Sequence, residues 1–283
     1  MKKPIIIIGA ARSGTTMLGE ILSQHEDVAY WVEPKYIWKY ARPDINNDIR
    51  SAADATAGVS GYIKRKFDKF LKDTGRKRFM EKTPSNCFRI SFIEAVFPDA
   101  LYVNILRDGR DVSLSAYEKW TKRHDTTAYS RRLNSGDVPL RDFPFYMLHF
   151  FRQYLGQKLW PEKLKHWGPV TEDISKYIGS SVEEACAYQW RQSTEYSINE
   201  LANISADKVL TIKYEEFLKE PEIYLEKIFE HCELDKSEAV IKYAKRVIRP
   251  GNYSKWERPQ HQKFLQKISH IVDPLLERLG YKG

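Results

Sequence analysis

Four groups of residues in this chain have types and spacings suited to chemistry on an anion. The first is Gly9-Ala10-Ala11-Arg12-Ser13-Gly14-Thr15-Thr16, which directly follows the run Ile5–Ile8. A strand–loop–helix junction of this kind presents backbone N–H groups and the positive end of a helix dipole to an anion. The Gly9–Gly14 spacing is that of a phosphate loop, but Thr15 stands where the nucleoside triphosphatase pattern requires lysine. Arg12 supplies the cation instead. The second group runs from Arg107 through Asp108 and Asp111 to Ser115, after the run Leu101–Leu106. Arg107 offers a charged fork and Ser115 a hydroxyl, both fitted to a phosphate dianion, and Asp108 suits the N-cap of the helix that follows. The third is Glu33 in Val32-Glu33-Pro34, a carboxylate able to accept a proton in a dry pocket. The fourth is Lys82 in Glu81-Lys82-Thr83-Pro84, a cation able to stabilise a leaving oxygen. His124 is the alternative proton acceptor. No His, Cys or Asp cluster has metal-ligand spacing, so no metal site is expected.

The elements that must position these groups follow from the apolar runs. Ile5–Ile8, Val28–Trp31, Leu101–Leu106 and Val209–Ile212 read as buried strands, with a weaker fifth at Arg78–Met80. Near-continuous apolar runs fit parallel strands covered on both faces. Helical periodicity lies between them: Met17, Leu18, Ile21 and Leu22 share a face, as do Ile63, Phe67, Phe70 and Leu71, and a third pattern runs from Phe88 to Phe97 before Pro98. The second half is helix-rich, with a capping box at Ser181–Glu184 opening a helix towards Asn203, and Pro221 at the first turn of another. The expected fold is α/β, a P-loop-like three-layer α/β/α sandwich around a central, mostly parallel sheet. No linker separates the halves, so residues 1–283 read as one domain. The polar stretch His124–Pro144 reads as a long loop.

Composition narrows the partners. Lys+Arg minus Asp+Glu is 46 − 38 = +8, a balance that favours an anionic partner without naming it. Eight lysines and arginines lie between Lys64 and Arg78 and could meet nucleic acid phosphates, yet Ile63, Phe67, Phe70 and Leu71 make this an amphipathic helix with a solvated basic face. The longest apolar start is far short of the ~20 residues that span a bilayer. Three scattered cysteines, Cys87, Cys186 and Cys232, offer neither a disulfide framework nor a CxxC site. These features lead to the expectation of a cytoplasmic protein with no membrane or nucleic acid partner.

Arg-Ser-Gly-Thr-Thr after an apolar first strand resembles the 5′-phosphosulfate loop of sulfotransferases that use 3′-phosphoadenosine 5′-phosphosulfate (PAPS). The arginine at a strand end with a serine eight residues later resembles the 3′-phosphate motif of the same family. The resemblance implies that Ala11, Arg12, Ser13, Gly14, Thr15, Thr16, Arg107 and Ser115 hold PAPS and its product 3′,5′-ADP. It also implies an adenine contact from Tyr214, in Val209–Glu216, and 3′-phosphate contacts from Arg249 and Gly251; Trp190 is an adenine neighbour or a core residue. Two departures matter. Met17 replaces the tryptophan that stacks on the purine in cytosolic small-molecule members, and Pro84 stands where those members place a catalytic histidine. The chain is thus closer to the bacterial-type branch with a catalytic glutamate, which implies Glu33 as base with Lys82 and Arg12 as catalytic cations. The implied reaction is metal-independent, in-line sulfuryl transfer to a hydroxyl or amine of a small intracellular acceptor. His124–Pro144, Phe143–Trp160 and Trp167–Tyr177 are expected to shape the acceptor pocket, and a homodimer stays open. The competing readings are a P-loop nucleotide kinase or NTPase, which the missing lysine disfavours, and a basic nucleic-acid-binding module.

Overall fold

The computed structural model describes residues 1–43, 47–121, 141–145, 147–148, 168–171, 173–174, 181–249 and 251–281. In chain order its strands and α-helices are β1 (Ile5–Ile8), α1 (Thr15–Leu22), β2 (Val28–Val32), α2 (Lys35–Trp38), α3 (Ala57–Thr74), β3 (Arg78–Lys82), α4 (Ile90–Val96), β4 (Leu101–Leu106), α5 (Gly109–Thr121), α6 (Val182–Leu201), β5 (Val209–Lys213), α7 (Tyr214–Lys219), α8 (Pro221–His231), α9 (Glu238–Val247) and α10 (Gln262–Arg278). The strands form one parallel sheet in the order β2-β3-β1-β4-β5.

Every side chain of β1 is fully buried, as a central strand of isoleucines requires. Ile5 and Ile7 face one apolar layer with Leu18, Ile21 and Leu22 of α1 and Leu225, Ile228 and Phe229 of α8. Ile6 and Ile8 face the opposite layer, with Trp38, Ile63, Phe67 and Phe92 from α2, α3 and α4. A third cluster joins α5, α6 and α10 through Val112, Trp190, Ile271 and Leu275. The expected three layers are present.

Strand order fixes where a ligand can enter. From β1 the chain leaves towards β2 on one side, while β4 hands on to β5 on the other. The carboxyl ends of β1 and β4 therefore flank a topological switch point, where open α/β sheets leave a crevice. The Gly9 loop and Arg107 stand at that point.

The strand ends differ from expectation at β3, which runs two residues further, through Glu81 and Lys82. Both are buried, at 0% and 2% exposure, so charge hid a buried strand from a reading based on apolar runs. The expected Phe88–Phe97 helix is split into a 3₁₀ turn over Pro84–Phe88 and α4. Of the basic run, Ile63 and Phe67 are buried while Lys64, Lys69 and Lys72 are exposed, as for a solvated helix face.

Candidate active site

The loop after β1 turns through two left-handed backbone positions before α1 begins. Gly14 has φ 93° and caps the helix; a Cβ there would stand 2.5 Å from the Tyr214 ring, so both backbone and space call for glycine. Arg12 has φ 75° without being glycine, a conformation that costs of order 1–3 kcal/mol and persists only where surroundings impose it. The first turn of α1, with Thr15 and Thr16, has N–H groups without intrahelical partners, as any helix start does. Ala11, Ser13 and Thr15 are buried, and Ser13 Oγ has no hydrogen-bond partner within the protein.

The arginine of the second motif reaches this loop. Arg107 Nη1 donates to the Arg12 carbonyl at 3.0 Å, and Arg12 Nε donates to Ser115 Oγ at 3.1 Å. Residues from two motifs about a hundred positions apart thus close on one another. Desolvation first, and then the charge of Arg107, lower the Arg12 pKa from its usual value. Asp111 meets Arg107 Nη2 at 3.4 Å, and Arg107 Nε is buried without a partner. Two guanidinium groups meet at this junction, with Asp111 against Arg107 and the charge of Glu118 acting on Arg12, and donors of this kind suit an anion.

Several residues hold Arg107 in place. The Tyr214 ring lies under its guanidinium at 4.2 Å, and Trp190 Nε1 donates to its carbonyl at 3.2 Å. Trp190 is 2% exposed and packs on Gly109, where a Cβ would stand 2.5 Å from its ring. Asp108 caps α5 as expected, accepting from the Arg110 N–H at 2.9 Å, and also pairs with the Arg110 side chain. Arg249 and Gly251 are exposed and make no hydrogen bond or ion pair to the loop or to Arg107 among the described residues. Instead Trp256, which the sequence did not single out, donates its N–H to Asp111 at 3.1 Å and stacks on Arg110 at 3.6 Å.

Glu33 and Lys82 come together from adjacent strands. Val32 is in register with Lys82, and the Glu33 N–H donates to the Lys82 carbonyl at 3.1 Å. The side chains then meet, with Lys82 Nζ donating to Glu33 Oε1 at 2.8 Å. Lys35, another residue the sequence did not flag, lies 3.1 Å from Glu33 Oε2. Burial alone would raise the Glu33 pKa, but the charges and hydrogen bonds of Lys35 and Lys82 outweigh it and hold the carboxyl at about 2. Glu33 is, after Arg12, a second non-glycine site residue with a left-handed backbone, at φ 52°. Beside this pair, burial pushes the fully buried Glu81 carboxyl up to about 7, although Thr83 and Asn86 donate to it. His124 lies outside the described residues, as do most of the acceptor segments anticipated between 124 and 177. No group of three or more His, Cys, Asp or Glu side chains among the described residues could hold a metal ion, and no helix among them is long and apolar enough to cross a membrane.

The family described as the sulfotransferase family matches residues 4–154 and 147–238. An uncharacterized protein of Aquifex aeolicus is 21% identical over 305 residues, covering 98% of this chain and 33% of its own length. The nodulation protein NoeE of Sinorhizobium fredii is 23% identical over 129 residues, covering 40% of this chain and 31% of its own. The chain therefore spans about a third of the length of these curated relatives. Among solved structures, sulfotransferase STF9 from Mycobacterium avium shares the fold with a TM-score of 0.60 at 13% identity, over 99% of this chain and 78% of that one. A sulfotransferase from Alicyclobacillus acidocaldarius gives 0.54 at 15% identity, over 99% and 94%. The sulfotransferase domain of the curacin biosynthetic pathway gives 0.54 at 12%, over 95% and 98%. The motifs at the ends of β1 and β4 thus lie within the matched segments, and the chain belongs to the sulfotransferase family.

Proposed function

We propose that this chain, acting as one catalytic unit over residues 1–283, transfers a sulfuryl group from PAPS to a hydroxyl or amine of a small-molecule acceptor. One observation carries the reading: Arg12, Arg107 and Ser115 converge at one junction, with Ser13 Oγ and Arg107 Nε buried and without protein partners. Those donors fit the two phosphate ends of a 3′,5′-bisphosphate nucleotide. The loop Ala11–Thr16 would hold the 5′-phosphosulfate, Arg107 and Ser115 the 3′-phosphate, and Tyr214 and Trp190 would form the wall beside them. Bound, PAPS supplies a sulfuryl group whose S–O bond to the 5′-phosphate breaks as the acceptor's bond to sulfur forms.

Glu33 takes the acceptor's proton in this reading, and Lys82 stabilises the charge that grows on the leaving oxygen. The two roles are coupled by their ion pair. While Lys82 sits on Glu33, the carboxylate is a weak base with a pKa of about 2. As Lys82 turns to the leaving oxygen, one of the two charges depressing Glu33 is withdrawn, Lys35 remains, and the carboxylate's affinity for a proton rises. Arg12 neutralises the transferring group at the loop.

The test is selective stabilisation, since a ligand that binds only the folded state raises its melting temperature. We expect 3′,5′-ADP to raise Tm and ATP with Mg²⁺ to leave it unchanged, with PAPS and a panel of acceptors yielding product heavier by one sulfo group. Stabilisation by ATP–Mg²⁺ and none by 3′,5′-ADP would replace this reading with a kinase-like one.

A further inference from the structure

The peptide that joins Arg107 to Asp108 is held from both sides. Its carbonyl accepts from Trp190 Nε1, and its N–H donates to Glu215 Oε1 at 3.0 Å. The other oxygen of Glu215 accepts from the Tyr281 hydroxyl at 3.1 Å. Glu215 is the neighbour of Tyr214, whose ring supports the Arg107 guanidinium. One dipeptide at the end of β5 therefore supports both the side chain and the backbone of Arg107.

Tyr281 is aimed at Glu215 by the way α10 ends. Gly280, at φ 70°, donates its N–H to the Glu277 carbonyl at 3.0 Å, and Tyr281 donates its N–H to the Leu276 carbonyl at 2.9 Å. These two bonds are a Schellman closure, which fixes the direction of the residue after the glycine. Leu275 and Leu276 anchor the same turn in the core with α5 and α6. Lys213 Nζ covers the Tyr281 ring at 4.7 Å, which completes the seat.

We infer that Tyr281 and Glu215 are positioning residues for the 3′-phosphate of the nucleotide: Tyr281 fixes the Glu215 carboxylate, and Glu215 fixes the peptide from which Arg107 projects. Neither needs to touch the ligand. A carboxylate can rotate away from a single N–H, whereas one pinned on both oxygens cannot. Arg107 then meets its ligand already oriented, and the binding energy is not spent on ordering it. This inference rests on the proposed role of Arg107 as the 3′-phosphate ligand.

Affinities of 3′,5′-ADP and 5′-AMP, measured by calorimetry on the wild type and three variants, test it. The two nucleotides differ only in the 3′-phosphate, so their ratio isolates what its ligands, Arg107 and Ser115, contribute, and a general loosening of the fold leaves that ratio unchanged. Tyr281→Phe should weaken 3′,5′-ADP about threefold and Glu215→Leu about tenfold, with 5′-AMP unchanged, as expected when a charged hydrogen bond is lost at one remove. Glu215→Gln can accept from Asp108 and donate to Tyr281, so it should restore the wild-type ratio. If both nucleotides weaken alike in Tyr281→Phe, or the ratio stays at the wild-type value in Tyr281→Phe and Glu215→Leu, the inference is overturned. A wild type that does not distinguish the two nucleotides would instead remove the Arg107 reading, and this inference with it.

Discussion

Arg107 and Glu33 both stand at the carboxyl ends of parallel strands, but their surroundings differ in kind. Arg107 has a ring beneath it and supports on both sides of its peptide, and one of its N–H groups is still unused. Glu33 has both oxygens engaged by lysines, and its backbone sits in a costly conformation. The β4 end resembles a lock already cut for a phosphate. At the β2 end, the proposed role of Glu33 as base requires its ion pairs to be rearranged before a proton is accepted. Organisation is worth most where binding comes first, since ordering a side chain after the encounter lowers affinity. Where the charge pattern changes during the reaction, a tightly held resting state can hinder chemistry. On the proposed reaction, the β4 and β2 ends therefore differ in how much they must move.

Removing the partners at the β2 end should have the largest effect. Glu33→Gln keeps the shape of the side chain but cannot take a proton, and should lose roughly 10²–10⁴-fold in kcat, the usual worth of a general base. Lys82→Met should lose a similar factor, because it removes the cation proposed for the leaving oxygen. Calorimetry should find 3′,5′-ADP binding nearly unchanged in both. A wild-type kcat in Glu33→Gln, with intact nucleotide binding, would remove Glu33 as the base and leave the contrast between the two strand ends without its catalytic half.

The β4 end comes next. Arg107→Ala should weaken 3′,5′-ADP by at least ~1.4 kcal/mol, about tenfold, because a charged donor to a phosphate is lost from a buried position. Lys could restore charge at this position but not the fork, so Arg107→Lys should recover only part of the affinity. Equal affinity in wild type and Arg107→Ala would mean that this finished seat serves the fold rather than a ligand.

The sequence exposed one end of this contrast better than the other, for a physical reason. Anion loops are made by residues close in the chain, so Gly9–Thr16 could be recognised by its spacing and Arg107–Ser115 by its resemblance to a family motif. The sheet was legible where its strands are wholly apolar, as in Ile5–Ile8, and less so at Glu81 and Lys82, which are charged yet buried. Glu33 and Lys82 could be named singly, but their ion pair joins residues 49 positions apart and depends on the register of β2 with β3. Lys35 gave no signal at all, since its role arises only when α2 begins two residues after the strained Glu33, past Pro34. Glu215 and Trp256 were missed for a similar reason: each acts through a backbone contact made by the fold. Arg249 and Gly251 were read from a short C-terminal match, and the support found near Asp111 comes from Trp256.

The smallest effect belongs to Lys35, and it probes the resting state of the β2 end without any turnover. Its side chain is 39% exposed, so the pair with Glu33 is partly screened and should contribute no more than ~1 kcal/mol. The sign of its pH dependence follows from the direction of the Glu33 shift. The folded carboxyl is held at about 2, below its ordinary value, so the stabilisation is present above the unfolded pKa of roughly 4.3. It fades as pH falls through that value and is gone below about 2. Chemical denaturation of wild type and Lys35→Met should thus differ by up to ~1 kcal/mol at pH 7 and converge towards pH 2 to 3, provided both still unfold in one step. The same substitution removes one of the two lysines paired with Glu33, so the carboxyl should titrate at a higher pH, visible by carbon NMR of the labelled side chain. A stability difference that stays constant from pH 7 to pH 3 would show that Lys35 stabilises the protein by packing rather than by charge. The clamp on Glu33 would then reduce to its pair with Lys82.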